Sequence, residues 1–169
     1  MNANDTITDL AGRVTWSLAQ LRELSPAELN AHPLGHPNSP GWLLWHTGRE
    51  LDMQLAHLRD SDQVWTTQGS RDSFDLGEIG DSLGYGHTPE EATSIQVANQ
   101  GLAAEYIEAC VEAVLDHART VPEDAWDEVI DEYDGEPVTR QVRVTSILID
   151  ALEHLAQAIY VAGMPELDQ

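Results

Sequence analysis

The apolar positions of this chain recur at intervals of three and four residues, the period of helices that bury one face. Ile7, Leu10, Val14, Leu18 and Leu21 form the first such stripe, with Asp5 or Thr6 placed to cap it. It ends near Ser25-Pro26-Ala27-Glu28, a capping-box pattern that opens one further short turn. His32-Pro33, Gly35 and His36-Pro37 then crowd together enough breakers to exclude helix. Ser39-Pro40 supplies a cap followed by proline at the first helical position, predicting a second long helix from Pro40 to about Arg59. Along it Trp42, His46, Arg49 and Met53 share a stripe, while Leu44, Leu51, Leu55 and Leu58 spread over neighbouring faces.

Residues 60–87 are rich in Gly, Asp and Ser, with Trp65, Phe74 and Tyr85 as isolated large groups. A connection of more than about 15 residues is uncommon in a compact domain and is usually functional or disordered. The embedded aromatics predict an ordered loop packed over something. Thr88-Pro89-Glu90-Glu91 is another capping box, opening a helical segment to about Thr120 with a break expected near Gly101. A short turn and, at residues 131–137, a turn or extended link follow. Thr139 caps a last helix that stops at Gly163, with Pro165 just beyond. Four long helical segments without strand alternation predict an all-α four-helix bundle: one domain over residues 1–169, with a long loop between its second and third helices.

Composition narrows the chemistry. The chain carries 30 Asp and Glu against 8 Lys and Arg, a formal charge of −22. All the basic residues are arginine, so Schiff-base chemistry, a P-loop lysine and a lysine general base are excluded. Such a charge argues against nucleic acid, whose binding requires neutralising phosphates, and against docking on an anionic membrane surface. No stretch approaches about 20 consecutive apolar residues. Met1-Asn2-Ala3-Asn4-Asp5 lacks the positive start and apolar run of a signal peptide, so a cytoplasmic location is expected. Cys110 is the sole cysteine, which leaves no internal disulfide and no thiolate metal cage. It sits on an apolar helical face, where packing is the expected role.

The last helix carries the informative pattern. Ile147, Asp150, His154, Ala158 and Val161 follow offsets of 3, 4, 4 and 3 and share one face, apolar at both ends and therefore core-directed. Burying the carboxylate or the imidazole unpaired would cost several kcal/mol. A metal ion removes that penalty, and so does a mutual hydrogen bond; spacing alone leaves both open. Residues four apart lie about 5–6 Å apart at Cβ, close enough to converge on one ion. Glu153 competes for the carboxylate role, but it lies about 100° around the helix from His154 and is expected to face solvent. His46 on the second helix adds a third donor. Three protein ligands without a fourth describe an open, catalytic type of site, and bundle cores are a known place to build one.

These residues resemble a known family. Trp42-Leu43-Leu44-Trp45-His46-Thr47-Gly48-Arg49-Glu50-Leu51-Asp52 resembles the segment carrying the first ligand in the DinB-like superfamily. The link Gly84-Tyr85-Gly86-His87-Thr88-Pro89-Glu90-Glu91 and the helix from Asp150 through His154 to Gly163 resemble its actinobacterial branch. That branch is similar to the N-terminal domain of mycothiol-dependent maleylpyruvate isomerase and to the mycothiol transferases. The resemblance spans about residues 5–165. It implies a four-helix bundle holding a divalent metal, zinc or nickel, at one end, with ligands matching His46, Asp150 and His154. Many members have His or Glu where this chain has Asp150, one methylene shorter than Glu, so its reach to the ion differs.

The resemblance also implies mycothiol as co-substrate. A free thiol is only a few per cent ionised at pH 7, and coordination to a dication removes that limit. The expected activity is a metal- and thiol-dependent transferase or isomerase acting on a small electrophile. A metal-dependent hydrolase and a non-catalytic bundle are the alternatives. Arg49, one turn after His46, either binds a substrate carboxylate as a catalytic group or pairs with Asp52. Tyr85 and His87 close the long loop and are expected over the open metal face, His87 as a catalytic group and Tyr85 as a cofactor contact. Gln157, three residues after His154, is expected behind that ligand or against the cofactor. His32, His36, His57 and His117 are expected in solvent, Arg140 and Arg143 beside nearby acids, and the tryptophans in the core. A homodimer is compatible with the resemblance.

Overall fold

Each long apolar stripe becomes a helix in the computed structural model, which describes residues 2–164 and residue 167. The first is α1 (Ala3–Gln20), and its cap is Asn2 rather than Asp5 or Thr6. The Asn2 side chain accepts the Asp5 N–H at 2.8 Å, and the Asp5 carboxylate accepts the Asn2 N–H at 3.1 Å. This reciprocal box satisfies two otherwise orphaned donors and starts the helix earlier than the apolar stripe requires. Ser25 caps the short α2 (Pro26–Leu29), and Ser39 caps α3 (Pro40–Arg59).

The long connection is ordered. It holds α4 (Val64–Thr67), α5 (Ser70–Phe74) and a 3-10 turn over Gly77–Asp81. Trp65 and Phe74 are buried beneath it, packing on each other and on Tyr106 at ring-centroid distances of 5.1–5.8 Å. The next helical segment breaks at residues 95–99, short of Gly101. The capping box opens α6 (Pro89–Ser94), and Asn99 caps a fresh start at α7 (Gln100–Thr120). Gly101 lies within the first turn of α7.

The bundle is all-α as expected, and the turn or extended link at residues 131–137 forms a small hairpin: β1 (Val129–Tyr133) pairs antiparallel with β2 (Glu136–Thr139). Asp134 and Gly135 turn it, with φ of 52° and 81°. Two successive left-handed residues make the Asp-Gly turn whose twist suits a two-residue hairpin. Nearly every β1 side chain faces solvent, so no apolar alternation marks it in the sequence. The last helix, α8 (Arg140–Ala162), is capped by Thr139 and ends at Gly163. The Pro165 stop signal lies outside the described residues.

The four long helices pack in the cyclic order α1, α7, α3, α8, with α1 and α3 diagonal. α3 is enclosed on nearly every side, and residues 40–49 are all buried. Gly48 makes the α3–α7 crossing possible, since a Cβ there would lie 2.4 Å from the Tyr106 ring. α8 has the length and apolarity of a membrane span. Its Val144, Leu148, Ala151, Leu155 and Ala158 are nevertheless buried in the bundle, and Asp150, Glu153 and His154 interrupt it midway. Two expectations change. Trp16 is 65% exposed, the exception among tryptophans otherwise in the core. His117, expected in solvent, is buried edge-on against Trp126.

Candidate metal centre

His46 projects from the first two turns of α3, and Asp150 and His154 from one face of α8, so the α3–α8 contact brings the three together. One donor atom from each lies within 4.8 Å of the others. The imidazoles of His46 and His154 meet edge to face at 4.7 Å between centroids. His46 Nδ1 lies 2.6 Å from the Leu83 carbonyl, which can only accept. Nδ1 therefore carries the hydrogen, and the Nε2 lone pair is left free. His154 repeats the arrangement: its Nδ1 donates to Gln157 Oε1 at 2.9 Å, and its Nε2 lies 3.5 Å from Asp150 Oδ1.

The second Asp150 oxygen, Oδ2, is buried and has no hydrogen-bond partner. A buried carboxylate oxygen without a hydrogen-bond partner is costly, and a cation held beside it would offset that cost. Two imidazoles and a carboxylate suit a borderline divalent ion such as zinc, and each histidine has the outer partner that metal-bound histidines commonly show. The residues fit the metal.

Electrostatics differ between the two histidines. Burial lowers the His46 pKa from its usual value, outweighing the Leu83 hydrogen bond that raises it. Burial also opposes a charged His154, but the hydrogen bonds to Asp150 and Gln157 and the Asp150 charge reverse that effect, and its pKa is raised. Asp150 and His154 are half-buried, so their stripe borders an opening instead of lying wholly in the core.

That opening is a cavity of about 650 Å³ walled by Trp42, Leu83, Gly84, Tyr85, His87 and Tyr133 around the three donors. Trp42 stacks on His46 at 4.6 Å between ring centroids. Gly84 (φ 90°) lets the loop pass: a Cβ there would lie 2.8 Å from the Trp45 ring and 3.1 Å from His46 Nδ1. Tyr85, 90% exposed, stands at the mouth. His87 borders the cavity, stacked on Trp45. Its Nδ1 accepts the Trp42 indole N–H at 3.4 Å, and its Nε2 faces Ser82 Oγ at 2.9 Å. Gln157 is outside the cavity and acts on it through His154.

Arg49 is not brought to the cavity. Its fully buried guanidinium donates to Tyr106 Oη, Gln63 Oε1 and the Asp81 and Ser82 carbonyls, stands 3.6 Å from Asp52 Oδ2 and covers the Trp65 ring. The expected contact with a substrate carboxylate is corrected accordingly: residues three and four beyond His46 leave the helix about 100° apart, and Arg49 points towards α7 and the loop. Glu50 takes the cavity side, and sequence reasoning passed over it. The available signal was its spacing of four from His46. Burial first, and then the nearby Asp150 charge, raises the Glu50 carboxyl pKa. Glu153 is exposed, and Cys110 is fully buried with its thiol pKa pushed up by burial. Arg140 pairs with Glu128 and Arg143 with Asp131.

Fold and site together define a helical bundle with a three-donor centre of metal-binding type on two facing helices. The chain belongs to the DinB superfamily, whose profile matches residues 8–158. It is also similar to a conserved protein from Enterococcus faecalis, known as a crystal structure, with 35% identity over 96% of both chains and a TM-score of 0.78. No curated protein matches it.

Proposed function

We propose that the chain is a metal- and thiol-dependent transferase or isomerase, using mycothiol and a small electrophile, with a divalent ion, zinc or else nickel, held by His46, Asp150 and His154. The observation that carries the reading is the convergence of these donors, both histidine Nδ1 atoms engaged elsewhere and Asp150 Oδ2 unpartnered, on a solvent-open cavity. When bound, the ion supplies a Lewis acid that lowers the pKa of a thiol or water beside it.

The chain's own groups do the rest. Leu83 O and Gln157 Oε1 fix which nitrogen of each imidazole faces the cavity. Glu50 Oε1 accepts from Gln54 Nε2 at 3.1 Å, leaving Oε2 to take up the thiol proton. At that position it can hold the proton and return it to the product. Trp42, Tyr85 and Tyr133 line the cavity with aromatic faces against which a small ligand can pack. The assignment of mycothiol rests on the resemblance of the Gly84-Tyr85-Gly86-His87 link and of α8 to the branch that uses it.

Incubating metal-loaded, untagged protein with mycothiol and a model electrophile tests the proposal: thiol consumption matched to product supports transfer. Acid release without thiol consumption would replace it with hydrolysis. Absence of stoichiometric metal from both the wild type and His46→Ala protein would leave a non-catalytic bundle.

A further inference from the structure

The buried Arg49 network holds no part of the cavity wall, yet it ends one residue short of it. Arg49 Nη2 donates to the Asp81 carbonyl at 3.0 Å, and Nε donates to the Ser82 carbonyl at 3.2 Å. The next carbonyl, Leu83 O, accepts His46 Nδ1. His46 and Arg49 sit one turn apart on α3, so a single helix grips three successive carbonyls of one loop segment. From these contacts we infer that Arg49 is a positioning residue: it sets the place of the Leu83 carbonyl, and through it the His46 nitrogen that is offered to the metal. This inference rests on the metal reading above.

Its physical basis is the cost of the arrangement. A fully buried guanidinium must be desolvated, which several hydrogen bonds and a carboxylate only offset, and an apolar residue of similar volume often serves stability as well. What an apolar residue cannot do is hold two adjacent carbonyls at fixed positions. Asp52 anchors the other end of the same loop, accepting the Val64 and Trp65 N–H groups that open α4 at 2.8 and 2.7 Å. Tyr106 Oη joins the two halves, donating to Asp52 Oδ2 and accepting from Arg49. The loop between these anchors is thereby tied to α3 and α7 at the level of His46. Gly84 completes the fit, because its missing Cβ admits the turn against His46 and Trp45.

Removing an outer partner of a metal-bound histidine typically costs 10–100-fold in metal affinity. Two variants disturb the setting of His46, one through Arg49 and one, as a control, directly. Arg49→Lys keeps a positive charge but cannot span both carbonyls; Gly84→Ala leaves Arg49 untouched and pushes on His46. Both are expected to retain helical circular dichroism and to bind zinc at least tenfold more weakly than wild type. In ¹⁵N NMR of the metal-free proteins, the His46 signal is expected to shift from a single Nδ1–H tautomer towards a mixture. Linkage requires the reverse effect in the wild type: zinc should slow amide hydrogen exchange across residues 63–84. Full zinc affinity and an unchanged His46 tautomer in folded Arg49→Lys would overturn the inference while leaving the metal reading intact. A wild type that binds no zinc would remove the metal reading, and the tautomer measurement would still decide whether Arg49 governs His46. If Arg49→Lys does not fold, wild-type exchange decides: protection confined to α3 and α8, without residues 63–84, overturns the inference.

Discussion

At the scale of single residues, the two carboxylates of α8 give the sharpest contrast. Asp150 turns an unpartnered oxygen inward, and Glu153 faces solvent. His154→Ala and Asp150→Ala are each expected to abolish stoichiometric zinc in elemental analysis of untagged protein, and Glu153→Ala to leave it nearly unchanged. Zinc affinity should also fall with acidity. Metal binding at His154 needs its neutral form, and the pKa of that imidazole is raised, so protons compete at a higher pH than they would for a free imidazole. Affinity should be flat in alkali and then drop on the order of tenfold per pH unit below that pKa, as a competition titration with a chelating dye would show. Asp150 and His154 were legible in the sequence because an offset of four puts both on one stripe of the last helix, and His46 because it interrupts an otherwise apolar stretch of the second. Glu50 was not, because Arg49 and Glu50 both lie one turn beyond His46, and the apolar pattern of an enclosed helix gives no phase to choose between them. The Leu83 carbonyl carries no side-chain signature at all.

At the scale of elements, the loop over residues 60–87 was legible as ordered from Trp65 and Phe74, but the ties that fix it were hidden. Asp81 is one of them: it accepts hydrogen bonds from Arg71 and from the Trp65 indole, which hold its carboxyl at about 2, below the usual 3.8. A depressed pKa stabilises the fold above the unfolded value and loses that contribution as pH falls through the folded one. Between about pH 4 and about pH 2, Trp65 fluorescence should therefore change, and Asp81→Asn should move the change to higher pH or abolish it. The α3–α7 crossing makes a second prediction. Gly48→Ala drives a Cβ against Tyr106 and should destabilise the fold by about 1–3 kcal/mol in urea unfolding, a cost typical of overpacking. The link at residues 131–137 was legible as turn or extended chain, but its strand pairing was not, because the exposed residues lack alternation.

At the scale of the whole molecule, the number and order of long helices followed from capping boxes and apolar spacing, whereas their cyclic arrangement depends on side-chain packing that no single stripe encodes. The charge of −22 has a measurable effect at this scale, because self-repulsion destabilises the compact state and is screened by salt. Raising sodium chloride from about 10 to about 150 mM shortens the Debye length from about 30 to about 8 Å. A rise in the thermal midpoint of roughly 2–4 °C, equivalent to about 1 kcal/mol, is expected by calorimetry. The donors themselves are divided between unlike supports: His46 belongs to a helix walled in on nearly every side, whereas Asp150 and His154 stand on a rim open to water. Natural variation and directed evolution therefore meet an asymmetric target. For any ion held there, a longer or nitrogenous side chain at position 150 would find room at the rim, whereas a replacement for His46 would have to fit a packed interior.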